Sequence, residues 1–91
     1  MKFRYMYKIG PIDYWEGCEI ASFDETDRVL RQMPEPARGS IVFRTYVPAP
    51  KIFSIVPIFM CKAENNGTVY IFCDTEIDLD YEAKVINKEE F

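Results

Sequence analysis

The sequence has no histidine and therefore lacks the side chain that most often serves as a general base or a metal ligand near neutral pH. It also lacks the Gly-x-Ser-x-Gly turn of hydrolases, the Gly-x-x-x-x-Gly-Lys phosphate loop and the Gly-x-Gly-x-x-Gly dinucleotide motif. These absences exclude the common nucleophile–base pairs, phosphate cradles and dinucleotide sites. A carboxylate pair such as Glu16 and Glu19 is available for acid–base chemistry, but nothing distinguishes it from ordinary surface acids. We therefore expect a protein that is not an enzyme.

Cysteine is scarce, and its spacing suggests neither a disulfide framework nor a metal site. Cys18, Cys61 and Cys73 are odd in number and form no Cys-x-x-Cys pair, so we expect reduced thiols and no zinc. The alternating acids of residues 74–80 are similar to the ligands of a calcium loop, but the glycine turn and the terminal glutamate of that loop are missing. The sequence predicts neither a metal nor another cofactor.

No apolar run approaches the ~20 residues of a membrane span, and residues 1–8 lack the apolar core of a signal peptide. We expect a cytoplasmic protein without a membrane partner, residing in the host cytoplasm if the chain is viral. The 91 residues fit a single domain, 1–91, which is large enough to fold without a metal or a disulfide.

Charge is distributed unevenly along the chain. Residues 1–62 carry nine basic and seven acidic side chains, whereas residues 63–91 carry two basic and eight acidic ones. The net charge of −4 therefore originates in the C-terminal third. A negative field repels nucleic acid and attracts basic surfaces, so we expect no direct nucleic-acid binding and a partner with a basic surface.

The most regular pattern is a strict alternation over residues 68–82, which predicts one long, half-buried strand. Its apolar side begins with Val69, Ile71 and Cys73, and its other side carries five carboxylates. Same-sided residues lie about 6.6 Å apart on a strand, and like charges at that spacing cost stability. We call residues 74–82 the acidic segment; its carboxylates are Asp74, Glu76, Asp78, Asp80 and Glu82.

Three interpretations of the acidic segment are open. It is the solvated face of an edge strand, where charge prevents aggregation, or it pairs with Lys2, Arg4 and Lys8 on the first strand. Alternatively it mimics a nucleic-acid backbone, because successive phosphates along a duplex strand lie roughly 6 to 7 Å apart.

The N-terminal third predicts two strands and a helix. Residues 2–9 and 18–21 suggest a hairpin around an aromatic loop that holds Tyr14 and Trp15. Ser22 and Glu25 have capping-box spacing, which predicts a helix over about residues 23–33. Its apolar stripe contains Phe23, Leu30 and Met33.

The rest of the chain predicts further strands. Residues 41–47 and 52–61 are strand-like, with Pro57 requiring either a break or an edge position. Residues 65–67 form a turn, and a three-residue loop with Gly67 left-handed pairs Cys61 with Ile71 and places Cys61 and Cys73 on one apolar face. We expect residues 87–91 to fray. The predicted fold is α+β, with the order β-β-α-β-β-β and a mainly antiparallel sheet of four to six strands under one helix.

These features favour a small, non-enzymatic binding protein that occludes a basic, nucleic-acid-binding surface of a partner. The acidic segment supplies electrostatic steering, and Tyr14 and Trp15 supply apolar anchors. In size and acidity the chain resembles the small inhibitors that phages direct against host defence or nucleic-acid enzymes. We expect a monomer or a small homo-oligomer.

The alternative function is a small-ligand or nucleotide-binding domain. Its exposed aromatic side chains stack on the ligand. Its arginines bind phosphate; the candidates are Arg28, Arg31, Arg38 and Arg44.

Overall fold

The computed structural model describes residues 2–10, 17–36, 39–65 and 67–77, together with the backbone of residues 85–90. These residues form one helix and six strands, with a 3-10 turn at Pro50–Ile52. The helix is α1 (Phe23–Leu30), and the strands are β1 (Tyr5–Ile9), β2 (Glu19–Ile20), β3 (Phe43–Ala49), β4 (Ser54–Lys62), β5 (Val69–Cys73) and β6 (Val85–Glu90).

The strands make a single antiparallel sheet in the order β2-β3-β4-β5-β1-β6, with α1 packed on one face. The predicted α+β class is therefore confirmed. Two expectations about the strands are wrong. β1 and β2 do not form a hairpin, because three strands lie between them. Residues 87–90 belong to β6 and pair with β1, which gives their backbone groups partners that a frayed end would lack.

Both faces of the sheet are buried. The core under α1 includes Phe3, Met6, Val29, Phe59 and Phe72. On the opposite face a second core is formed by side chains of β1, β3, β4 and β5 together with Ile77: Tyr7, Ile9, Val47, Ala49, Ile58, Met60, Val69, Ile71 and Cys73. The strands at the centre are therefore apolar on both sides, as in sheets that are covered on two faces.

This double burial explains why the predicted β4–β5 register is wrong by one residue. Cys61 pairs with Tyr70 rather than with Ile71. A one-residue slip moves a strand's side chains to the other face, so Cys61 lies under α1 and Cys73 lies on the opposite face. The predicted register is the one that gathers apolar side chains on a single face. That criterion cannot choose between registers when both faces of the sheet are apolar.

The turn itself lies where the sequence predicts it. The amide of Ala63 donates to the carbonyl of Thr68 at 2.8 Å, and the amide of Gly67 donates to the carbonyl of Ala63 at 3.2 Å. The connection therefore spans four residues instead of three, and Gly67 has the expected positive φ, 70°.

Pro57 lies inside β4, which continues past it without a break. It pairs with Tyr46 of β3, whereas the β4–β5 ladder covers only Phe59 to Lys62. Pro57 thus has a strand on one side only, and its missing amide hydrogen leaves no ladder bond unmade. The sequence allows either a break in the strand or an edge position at Pro57, and in the structure β4 is an edge at this point.

The helix begins as predicted, with a complete capping box. Ser22 Oγ accepts from the amide of Glu25 at 3.2 Å, and Glu25 Oε1 accepts from the amide of Ser22 at 3.0 Å. The helix ends earlier than expected, at Leu30, and its buried side chain is Val29. Phe23, expected in the buried stripe, is 94% exposed. None of the helices in the described part of the chain is long and apolar enough to cross a membrane.

Replacing Gly67 by valine is expected to destabilise the fold, because a β-branched residue resists positive φ. The expected loss is about 1 to 2 kcal/mol in the free energy of unfolding. Gly67→Asn is the matched control, since asparagine tolerates the left-handed region. Urea denaturation of both variants checks this, and equal stability of the two would contradict it.

Candidate functional site

The chain leaves the sheet immediately after Cys73, and residues 74–77 are not part of a strand. Asp74 lies in a bend and Glu76 in irregular structure, so the prediction of a continuous strand fails there. The register supplies the reason: the next residue pair would place Asp74 opposite Pro57 on one side and Arg4, before the start of β1, on the other. A proline offers no amide hydrogen, so β4 supplies no donor to β5 at that position. Asp78, Asp80 and Glu82 lie outside the described residues.

Asp74 is bound to the helix rather than to the first strand. Its Oδ1 atom accepts from Arg28 Nη2 at 2.8 Å. Arg28 Nη2 also donates to the carbonyl of Lys2 at 3.2 Å, and the guanidinium lies 3.7 Å from the ring centroid of Phe3. The predicted internal pairing therefore exists for Asp74, but its partner is Arg28 on α1.

Glu76 joins the acidic segment to the β3–β4 connection. Its Oε2 atom lies 2.5 Å from Nζ of Lys51, in the 3-10 turn. The next residue, Ile77, is buried in the core opposite α1, and its amide donates to the hydroxyl of Tyr7 at 3.4 Å. Glu76 and Ile77 are thus held beside the far end of the β3–β4 hairpin.

That end of the hairpin exposes a group of apolar side chains. On the α1 side of the sheet, Tyr46 is 53% exposed and Ile55 is 67% exposed, whereas Phe59, farther along β4, is buried under the helix. Phe53, between the 3-10 turn and β4, is 97% exposed. We call these exposed side chains the apolar tip; they are Tyr46, Pro48, Pro50, Ile52, Phe53 and Ile55.

Phe53 has an unusual backbone conformation. Its φ and ψ are 51° and 44°, in the left-handed region, and among the described residues it alone is a non-glycine with positive φ. Its amide closes the 3-10 turn by donating to the carbonyl of Pro50 at 3.2 Å. A bulky residue in this region is strained, and a fully exposed ring gains no burial in compensation. Stability therefore does not account for a phenylalanine here.

A second exposed apolar group surrounds the start of α1. Ile20, Phe23 and Ile41 line a groove of about 400 Å³ together with smaller residues. This groove lies beside an ion-pair network that includes Glu19 and Glu25. It has no connection to the acidic segment among the described contacts.

Arg44 is the centre of that network. Its Nη2 atom donates to Glu19 Oε1 at 2.6 Å, and its Nη1 atom donates to Glu25 Oε1 at 3.0 Å. The hydrogen bond to Glu19 is the main cause that raises the pKa of Arg44. Partial burial raises the pKa of Glu25, but the hydrogen bonds from Ser22 and the guanidinium of Arg44 together outweigh it and hold that pKa below its usual value.

The arginines of the nucleotide-binding alternative are engaged within the chain where the structure describes them. Arg28 binds Asp74, Arg44 binds two glutamates, and Arg31 Nε donates to Asp27 Oδ2 at 2.9 Å. Arg38 lies outside the described residues. A phosphate would have to displace a carboxylate at each described arginine, so these contacts do not favour the alternative.

The predicted anchors Tyr14 and Trp15 also lie outside the described residues. Of the predicted site residues, the structure therefore locates Asp74 and Glu76, at two different attachment points on the body of the domain. The apolar tip is absent from the sequence-based prediction. The sequence hides it, because residues 52–61 read as one apolar strand, whereas Ile52 and Phe53 lie in the connection between β3 and β4, where polar turn residues are usual.

Nothing in the described part of the chain suggests a metal centre, since no three potential ligands cluster there. None of the three cysteines, all of which are described, is in a disulfide. Burial raises the pKa of Cys61, with hydrogen bonding to Ser40 and to the Lys62 carbonyl opposing only part of that rise. A buried thiol with a raised pKa is a poor nucleophile. Comparison with known proteins gives no matching family model, no similar curated protein and no similar solved structure.

Glu25→Gln is expected to lower stability at neutral pH and to have no effect in sufficient acid. The charge on Glu25 stabilises the fold above the ordinary glutamate pKa, and this contribution is lost as pH falls through the depressed folded-state pKa. Glutamine still accepts from the Ser22 amide, so the substitution isolates the charge. Urea denaturation across a pH series measures the difference.

The control is the same substitution in an Arg44→Gln background, where the effect of Glu25→Gln is expected to shrink because the cation is gone. A difference that stays constant with pH in the wild-type background would instead indicate disturbed packing.

Proposed function

We propose that this chain is a non-enzymatic binding protein that occludes a basic, nucleic-acid-binding surface of a partner protein with its acidic segment. The observation that carries the proposal is the ion pair between Glu76 and Lys51, which holds this one carboxylate of the acidic segment beside the apolar tip. Charged groups give a complex its steering and specificity, whereas affinity comes chiefly from a few apolar anchors. One end of this domain combines both.

The charge distribution supports the same function. Residues 63–91 carry eight acidic and two basic side chains. A field of this sign repels nucleic acid and accelerates encounter with a surface that evolved to hold phosphates. The chain would act in the cytoplasm, of a host cell if it is viral, as a monomer or a small homo-oligomer, competing with nucleic acid instead of binding it.

The acids of the segment are not equally suitable for substitution in a test of this function. Asp74 and Glu76 contact Arg28 and Lys51, so their replacement alters the folded domain as well as its charge. Asp78, Asp80 and Glu82 make up the rest of the segment's charge. Replacing these three acids leaves the carboxylates that bind Arg28 and Lys51 in place.

The triple variant Asp78→Asn, Asp80→Asn, Glu82→Gln is expected to slow association by about tenfold at low salt, because steering contributes one to three orders of magnitude to association rates. The partner is isolated from source cells with the tagged chain and then purified. Displacement of fluorescent duplex DNA from it is measured at several salt concentrations. Wild type should displace DNA and weaken steeply with salt, and the variant should be weaker and less salt-dependent.

The control triple variant Asp24→Asn, Glu35→Gln, Glu64→Gln changes the net charge equally at exposed positions outside the acidic segment. It should bind nearly as wild type does. Equal losses in both triple variants would show that only net charge matters. A partner that still binds DNA when saturated with the chain would contradict the proposal.

A further inference from the structure

We infer that β2 and the groove beside it bind an extended, basic peptide segment of a partner protein, which adds to the sheet as a further strand. We call this surface the β2 groove; it is lined by Ile20, Ala21, Ser22, Phe23, Thr26, Ser40, Ile41 and Val42. The inference goes beyond the proposed function, because it concerns a different surface and does not use the acidic segment.

The first argument is the backbone at the edge of the sheet. β2 is the outermost strand on its side and pairs with β3 alone among the described strands. The amide of Ala21 donates to the carbonyl of Val42 at 2.9 Å, so the alternation of an antiparallel ladder turns the amide and the carbonyl of Ile20 away from β3. Neither group has a hydrogen-bond partner among the described residues. Ile20 thus offers one donor and one acceptor to an added strand, which is how sheet edges bind peptides.

The second argument is the apolar surface next to that edge. Ile20 is 67% exposed, Phe23 is 94% exposed and Ile41 is 50% exposed, and all three line the β2 groove, whose volume is about 400 Å³. A strand paired with Ile20 directs alternate side chains to the face on which the groove lies. One apolar side chain of the peptide can fill the groove, which adds the affinity and the specificity that two hydrogen bonds lack.

The third argument is the charge of the described residues around the β2 groove. Glu19, Asp24 and Glu25 adjoin its lining residues in the chain. Arg44 binds both Glu19 and Glu25, so these three carboxylates and one guanidinium carry a net charge of −2. Asp24 is exposed and has no hydrogen bond or ion pair among the described residues. The start of α1 adds only about half a positive charge, so the rim favours lysine or arginine on the peptide.

The same charges disfavour the other occupants of this surface. Two copies of this chain joined at β2 would bring two acidic rims together, and nucleic acid or an anionic membrane would be repelled. Asp27 and Arg31, farther along α1, form a neutral pair and do not alter the balance. A basic peptide in extended conformation fits both the backbone groups of Ile20 and the charge of the rim.

The test begins by selecting peptides with the protein itself. A displayed library of random linear peptides is panned against the immobilised chain, and synthetic peptides of the selected sequences are titrated with purified variants. We expect these peptides to contain lysine or arginine beside an apolar residue. Asp24→Asn should weaken their binding by about threefold at low salt, as for a single exposed charge. Glu64→Gln removes an exposed carboxylate elsewhere and should leave their affinity unchanged.

Strand addition is then tested on the backbone of the peptide. Each selected peptide is synthesised again with N-methyl groups on its odd residues or on its even residues. An added strand directs alternate amides at the sheet edge, so one series should bind at least about tenfold more weakly and the other within about twofold of the parent peptide. Equal affinities of the two series would show that no strand is added and would overturn the inference.

The position of the peptide is tested with a matched pair of variants. Ile20→Thr keeps a β-branched residue in the strand and removes apolar surface, so it should weaken binding by about fivefold or more. Ile55→Thr makes the same change in β4 at an isoleucine that is also 67% exposed, and it should change the affinity by less than about twofold. Both variants should keep the melting temperature of wild type, because both side chains are exposed.

Each other outcome overturns the inference. Peptides that lose affinity with Ile55→Thr and keep it with Ile20→Thr would place the site at the apolar tip, and selected peptides without lysine or arginine would contradict the basic partner. Dimerisation at micromolar concentration that Ile20→Thr abolishes, measured by sedimentation, would make β2 an interface between copies. Recovery of no binding peptide would also count against it. None of these results bears on displacement of duplex DNA from a partner, so the proposed function is tested separately.

Discussion

The structure depends on the pairing of β4 with β5, because these central strands are apolar on both faces. Phe59 and Phe72 lie opposite each other under α1, and Met60 and Ile71 lie opposite each other on the other face. One hairpin therefore supplies the floor of two cores. The other strands, the helix and Ile77 are arranged around it, since each must cover one of these faces.

The sequence alone is sufficient to predict those features of the structure that depend on residues close together in the chain. The capping box joins Ser22 to Glu25 across three positions, and the glycine turn at Gly67 closes over a few residues. The sequence therefore predicts the cap and the left-handed glycine correctly, and it misses the length of the loop by one residue. Strand order and register depend on residues far apart in the chain. The alternation that normally indicates register loses that information when both faces are apolar, which is why the predicted register puts Cys61 and Cys73 on one face.

The candidate site is harder to predict because the exposure of its side chains depends on the lengths of the helix and of β4, and on where β5 ends. An eight-residue helix is about 12 Å long, whereas the nine-residue β4 extends about 30 Å. The helix therefore cannot cover the whole of the sheet face below it, and the end that it leaves bare is the apolar tip. Glu76 reaches this end because β5 stops where β4 has Pro57 and where β1 has not yet begun. Over residues 74–77 the alternation is therefore a pattern of charge in the sequence and not a strand.

Under the proposed function, charged groups and apolar surface contribute to binding in different ways, and this is a physical reason for having both on one surface. Carboxylates act over the Debye length of about 8 Å at physiological salt and chiefly raise the association rate. A buried aromatic anchor acts only in contact and chiefly lowers the dissociation rate. In the left-handed position of Phe53, glycine or asparagine would be less strained, so retaining an exposed phenylalanine lowers stability without a gain inside the fold. Function is a common reason for such a loss of stability, and Lys51, which binds Glu76, lies in the same connection as the ring.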